Sequence, residues 1–466
     1  MNYIKFPLLL IMGFAVLHAQ ERDLECASHV FVPRSISTDL TYINALTYAN
    51  RHLHVSSDKP FTYAGQIIYQ QSKTSKALGA AFLNGASNQI VVQQTPLAPN
   101  AVDAIGLQLA NTDPLNPFSS TFEISPQRKI FAYHGYFYAN LDAFWCGLWF
   151  DAAFAIVNAR HSLHCTETGN VSTMCPGIAT VGQALSNSDL DFGKFFCGLC
   201  DDEKRRTGFD DLQLRLGYDY QWCGCNLFGI YLIGTVPSGR KPTAEFIFEP
   251  LVGSRHASFG VGFHGDYQFD SCVCPEASVV LMTDFNYRYV FSHRECRTFD
   301  LLPQGAFSRF LPVVTLANPF NTTAAVNILT QKVNVLPRST IQWWLGLNYE
   351  YCDMNFEVGY NLWWRQKEKL KDDTALVVPA DVSLFDLSGA GIFAPLTVDN
   401  IDLVSGLAGR ALTNKVYGAF SWNGCICDGC FDWMTGFGGS YEFVVKHDRC
   451  SALSNWAVFG KVAVSF

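Results

Sequence analysis

The chain is short of charge. Asp, Glu, Lys and Arg make up 16% of its 466 residues, whereas an ordinary globular chain carries about a quarter. Outside the amino terminus it has no run of about 18 or more apolar residues, which excludes a bundle of membrane-spanning helices. It has no block of Lys or Arg and a net charge of −8, so nucleic-acid binding lacks its electrostatic footprint. No GxSxG elbow occurs. Gly239-Arg240-Lys241 lacks the leading glycine of a phosphate loop. Linkers, tandem repeats and low-complexity tracts are also missing, so one domain is expected.

What is abundant is apolar and aromatic. Hydrophobic residues are 49%, aromatics 14%, and there are 36 Gly. That surplus, spread without long runs, fits many alternating strands. In the last twelve residues Trp456, Val458, Gly460, Val462, Val464 and Phe466 fall on one face. Asn455, Ala457, Phe459, Lys461, Ala463 and Ser465 fall on the other, the period-2 pattern of a strand. Alternation begins at Phe61 and recurs over 130–141, 147–157, 212–222, 226–234, 257–269, 279–291, 340–351, 354–364, 415–422 and 431–443. Each segment is about as long as a tilted strand that crosses a bilayer. The connections alternate between long and short, with short ones near Asp142, Gly224, Cys272, Asp353 and Ile426. The expectation is all-β: a transmembrane antiparallel up-and-down barrel of about twelve strands, with long extracellular loops and short periplasmic turns. Fourteen strands is the alternative, if Leu78 to Val92 or Thr298 to Thr315 hides a hairpin. Asn321 to Val333 reads as a helix folded inward.

Residues 1–19 read as a signal peptide, with Lys5 before an apolar core and Leu17-His18-Ala19 at the cleavage site. Residues 20–60 carry no strong period and read as a periplasmic segment or a plug. Residues 61–466 read as the barrel, placed in the bacterial outer membrane. The patterned tail ending on Phe466 resembles the closing strand of bacterial outer-membrane β-barrels. That resemblance implies Phe466 is an assembly signal read by the barrel assembly machinery.

Sixteen cysteines in an exported chain point to disulfides. In this topology Cys26, Cys146, Cys223, Cys225, Cys272, Cys274, Cys352, Cys425, Cys427 and Cys430 map to the periplasmic side. Cys165, Cys175, Cys197, Cys200, Cys296 and Cys450 map to the outer side. Bridges between neighbouring turns are expected, and a disulfide-linked oligomer is compatible with them. Cys197/Cys200 and Cys427/Cys430 also have the CxxC spacing of zinc sites, but the oxidising compartment favours disulfides, and no metal or other cofactor is expected. Cysteine usage and barrel architecture resemble the cysteine-rich, porin-like major outer-membrane proteins of intracellular bacteria.

His52/His54 and His161/His164 are the densest histidine groups, and neither has a carboxylate shell. No patterned serine completes a triad, so no enzyme is expected. The informative chemistry is inward. Alternation directs Asp151, Arg215, Asp219, His264, Asp266, Asp284, Arg288, Glu350, Glu357, Arg365, Lys415, Glu442 and Lys461 into the lumen. Trp149, Trp344 and Trp363 narrow it. Charges of both signs around an interior read either as a water-filled path with a transverse field or as pairs that fill a narrow barrel. Twelve strands enclose more than side chains alone fill, which favours a porin-like channel for small hydrophilic solutes, weakly preferring cations. Two alternatives stand: a structural or adhesive barrel with a plugged lumen, and a hydrophobic-substrate channel resembling the fatty-acid transporter family.

Overall fold

In the computed structural model, the first barrel strand, β1 (Phe61–Ser72), buries every second residue from Thr62 to Ser72. Its alternation is therefore a real two-faced strand and not a buried core run. Eleven more follow: β2 (Gln127–Asn140), β3 (Leu148–Ser162), β4 (Leu212–Trp222), β5 (Asn226–Val236), β6 (Ser258–Phe269), β7 (Ala277–Val290), β8 (Arg338–Tyr351), β9 (Met354–Arg365), β10 (Ala411–Ile426), β11 (Phe431–Val444) and β12 (Asn455–Ser465). The structure describes residues 28–46, 59–83, 85–94, 102–175, 177–186, 203–222, 226–239, 241–269, 277–302, 304–315, 318–371, 374–384, 394–426 and 431–466.

Each strand pairs antiparallel with its sequence neighbours, and β1 pairs with β12, so the sheet closes as a twelve-strand barrel without edges. Closure runs to the last residue: Phe61 N–H donates to Phe466 O at 3.1 Å and Phe466 N–H to Phe61 O at 2.9 Å. β4 is longer than its alternation indicates. Lys204–Phe209 continues it upward along β3. Phe209 faces Ile156 while Gln213 faces Ala153, so this strand carries one residue more than β3. Asp210 and Asp211 form that bulge, where Asp210 N–H reaches Ala155 O at 2.7 Å. Bulges bend a strand and re-aim its side chains.

The outward face is apolar. On β12, Val458 and Val462 are 50% and 55% exposed, bracketed by Trp456 and Phe466. Elsewhere Ile67, Ile230, Val261 and Val358 stand in mid-wall, with Tyr220, Phe269, Tyr289 and Phe431 toward the strand ends. An aliphatic band between aromatic girdles is the surface a barrel presents to lipid, and a closed barrel leaves no backbone group unpaired in hydrocarbon. No helix among the described residues is long and apolar enough to cross a membrane.

The loops remove the fourteen-strand alternative and correct one expectation. Leu78 to Val92 and Thr298 to Thr315 add no barrel strands. Lys76–Phe82 is a helix, and Gln89–Gln93 pairs with Ser119–Glu123 in a separate sheet. Asn321 to Val333 is mainly strand: only Val326–Leu329 is helical, and Thr330–Leu336 pairs with His293–Thr298. Thr322, Thr323, Thr330 and Val333 are β-branched, and tertiary pairing took them into strands. These loop elements form a layer at the loop end of the barrel. Its cores are built from residues such as Leu78, Phe82, Phe122, Phe248 and Phe310, and from Phe299, Val313, Leu329 and Val335.

Cys146, Cys352 and Cys425, at the turn end, are free thiols. The expected bridging between neighbouring turns is therefore not made by them. Adjacent hairpin turns are set about two strand spacings apart, about 10 Å, beyond the Cα separation a disulfide spans. Cys175 and Cys296 are also free, Cys165 is half-buried in the outer layer, and Cys450 is disulfide-bonded. Cys26, Cys197, Cys200, Cys223, Cys225, Cys272, Cys274, Cys427 and Cys430 lie outside the described residues, as do His52 and His54.

Candidate functional site

The lumen is occupied. Residues 28–46 run through it, from the loop layer down toward the turn end. At the top, His29 N–H donates to Ser405 O at 3.1 Å. Arg309 pairs with Asp300 at 2.7 Å, and His29 Nδ1 stands 3.5 Å from the same carboxylate. Lower down, Arg365 of β9 donates to Val32 O at 2.9 Å. Ser35 Oγ and Ser37 N–H both donate to Asp210 at 2.9 Å, so the bulge of β4 aims its carboxylate at this segment.

A single helical turn, α1 (Leu40–Asn44), lies fully buried in mid-lumen. One turn of helix cannot hold itself, and here the wall holds both ends. Asp39 caps the start, accepting from Thr41 N–H at 2.9 Å. Asp39 is in turn paired with Lys415 of β10 and with Arg34 at 3.0 Å. Lys415 also stands 3.5 Å from Glu442 of β11. At the other end Lys461 of β12 donates to the carbonyls of Tyr42, Ile43 and Ala45, the last at 2.7 Å. An anion at the amino end and a cation at the carboxyl end complement the helix dipole. Beyond the turn, Leu46 N–H donates to Glu357 of β9 at 3.0 Å. A Cβ on Gly436 would come within 2.7 Å of Leu46 Cδ1, so glycine there makes room for the plug.

A second cluster fills the wall behind α1. Arg215 of β4 sits between Asp151 of β3 (2.7 Å) and Asp284 of β7 (3.1 Å). Tyr136 and Tyr231 donate to those carboxylates at 3.0 and 2.5 Å, and Asn44 of α1 reaches Asp284 at 2.8 Å. Trp149 lies flat over Gly217, where a Cβ would meet its ring at 2.3 Å. Its Nε1 and His264 Nε2 both contact Asp219 at 2.6 Å.

The sequence-predicted lumen residues are therefore inward. Asp151, Arg215, His264, Asp266, Asp284, Arg288, Glu357, Arg365, Lys415, Glu442 and Lys461 are buried, and Asp219 and Glu350 are half-buried. Of these, Asp284, Glu357, Lys415, Glu442 and Lys461 contact residues 34–46 directly. Trp149, Trp344 and Trp363 are buried as well. Sequence reasoning missed Arg34, Asp39, Asn44 and Asp210. The first three lie in a stretch without a period, and the fourth in a bulge that breaks one. Of the two histidines expected in an outer loop, His161 lies on β3, buried against Phe248, and His164 contacts Gln127. No metal-ligand cluster occurs among the described residues.

The fold defines the class: a closed twelve-strand transmembrane β-barrel with an internal plug. No family model and no curated protein matches the chain. Among solved structures it is similar to an outer membrane channel from Pseudomonas putida F1, at 10% identity and TM-score 0.40, covering 88% of this chain and 98% of that one. The transport unit of the autotransporter AIDA-I from Escherichia coli gives 8% identity, TM-score 0.32, and coverage of 90% and 97%. A FadL homologue from Pseudomonas aeruginosa gives 8%, 0.29, and coverage of 88% and 90%. The functional reading rests on the geometry of the lumen.

Proposed function

We propose that this chain is a gated channel of the bacterial outer membrane, closed here by its own residues 28–46. Once the plug leaves, small hydrophilic solutes diffuse through passively. The carrying observation is the way the plug is seated. Its mid-lumen turn packs Leu40, Tyr42, Ile43 and Leu46 into an apolar cluster with wall residues such as Ile68, Met434 and Phe459, but its two ends are held by Lys415, Arg34, Lys461 and Glu357 through charged or polar contacts. Buried ionic clusters stabilise a core no better than apolar packing of the same volume, and often worse. A barrel meant only to be filled has no need of them. A wall that is wet when the plug moves does.

The second reading, a structural or surface-display barrel, is favoured by the folded loop layer. The cavities beside the plug are small, about 40 and 60 Å³. Conductance in planar bilayers separates the two. The full chain is expected to be mostly closed, and a chain whose residues 28–46 are replaced by a Gly/Ser linker to show stable open steps. A linker variant that resists heat unfolding in detergent yet passes no current overturns the channel and leaves the display barrel. No reaction is assigned to the site.

A further inference from the structure

Register places three inward side chains in one row near the loop end of the barrel. Arg288 of β7 faces Thr340 of β8, and Thr340 faces Arg365 of β9. The two arginine Cα atoms are thus about two strand spacings apart, about 10 Å. Both side chains are buried, at 5% and 3% exposure. Arg34 of the plug faces the row from inside the lumen. Together they line a cavity of about 60 Å³.

The charges there do not cancel. Arg34 is committed to Asp39 at 3.0 Å. Among the described residues Arg365 has no ion pair; it donates to the carbonyls of Val32 and Gly409 at 2.9 and 3.0 Å and lies over the Trp363 ring. Arg288 has no ion pair or hydrogen bond among the described residues, and its Nε is buried without a partner. The hydroxyls of Thr340 and of Thr235, which also lines the cavity, lack partners too. One carboxylate, Glu368, also lines the cavity, but it is engaged elsewhere. Glu368 is 3.1 Å from Arg297 and accepts from Ala408 N–H at 2.8 Å. Asp211, which does not line the cavity, accepts from Ser254 N–H at 2.5 Å through Oδ2, while its Oδ1 is buried without a partner among the described residues.

An unpaired buried cation is expensive, and arginine forks match oxyanions. The cavity has room for several water-sized spheres at about 10–15 Å³ each, which suits a group of phosphate size. We propose that this cavity binds one small oxyanion, such as phosphate, sulfate or a small carboxylate, between Arg288, Arg365, Thr340 and the plug. The site is independent of whether the barrel conducts.

Equilibrium dialysis of the full-length protein in detergent against labelled inorganic phosphate tests it. Saturable binding at about one phosphate per chain is expected. Arg288→Gln should weaken it at least tenfold. Thr340→Val, which removes only one donor, should weaken it about threefold and guards against a misfolded arginine variant. Arg205→Gln, an exposed arginine on the outer extension of β4, should leave binding unchanged. Absence of saturable binding overturns the proposal. So does a loss with Arg205→Gln that Arg288→Gln does not share, because binding would then be surface electrostatics.

Discussion

Asp39 and Lys415 form a buried ion pair between the plug and β10, across 376 residues of sequence. Asp39 serves two structures at once. One carboxylate oxygen caps α1 through Thr41 N–H, and the other meets the Lys415 ammonium. The pair therefore joins the formation of the plug's helical turn to its seating in the lumen.

Lys415→Ala leaves Asp39 and Glu442 buried with only Arg34 to offset them. Removing one member of a buried pair costs about 3–5 kcal/mol. In a plugged barrel the cheapest escape is to withdraw the segment that carries Asp39. The expected result is a higher open probability in planar bilayers, with the barrel itself still resistant to detergent. Asp39→Asn combined with Lys415→Met should recover part of the closed state. If both variants gate like the parent, the pair does not hold the plug.

Phe466 closes the barrel through two backbone hydrogen bonds to Phe61, and their rings lie 6.0 Å apart. At about 0.5–1.5 kcal/mol for each bond and about as much for the ring contact, deleting Phe466 should destabilise the barrel by about 2–4 kcal/mol. Urea unfolding in lipid vesicles measures this. A second measurement, the outer-membrane level of the deletion variant in cells, tests whether the residue is also an assembly signal. Normal stability with failed insertion separates the signal from the closure.

Asp210 lies in the bulge opposite Ala155 and accepts from Ser35 Oγ and Ser37 N–H of the plug, both at 2.9 Å. Asp210→Ala removes the acceptor and leaves those donors buried, at about 1–3 kcal/mol for each unsatisfied group. The expected result is a looser plug and a higher open probability in planar bilayers, with the barrel still resistant to detergent. Gating like the parent's would mean that the bulge does not seat the plug.

The wall was legible in the sequence because its signal is local. Thr340 to Tyr351 alternates Ile341, Trp343, Leu345 and Leu347 against Gln342, Asn348 and Glu350, and a bilayer outside with a polar inside imposes that period on each strand. The inward charges could be named from the same pattern. Their partners could not. Asp39 meets Lys415, and Leu46 meets Glu357, through a segment with no period of its own and over more than 300 residues. The outer extension of β4 was hidden because Asp210 and Asp211 shift the register by one residue, which moves side chains to the opposite face. The loop strands were missed because their short pairings are set by the layer they join.

Selectivity should appear only after the plug is removed. With residues 28–46 gone, the inward acids Asp151, Asp219, Asp266, Asp284, Glu350, Glu357 and Glu442, together with Asp432 at the start of β11, which pairs with Lys59, outnumber the bases Arg215, Arg288, Arg365, Lys415 and Lys461. A net negative wall concentrates cations, and charge rings of this kind set selectivity in pores. Part of the field is cancelled locally, since Arg215 stays between Asp151 and Asp284. The cation preference should thus be modest, and it should fade toward 1 M salt as the Debye length falls to about 3 Å. Glu350 and Glu357 are the informative pair. Glu350 is half-buried near the turn end with Ser278 as its partner, and Glu357 loses Leu46 N–H when the plug goes. Changing both to Gln in the plug-less chain should lower the cation preference, read as a smaller reversal potential across a salt gradient. In the full chain the same Glu357→Gln change should instead loosen the plug and raise open probability. Anion selectivity in the plug-less chain would mean that Arg288 and Arg365 dominate the path, and would sink the cation assignment.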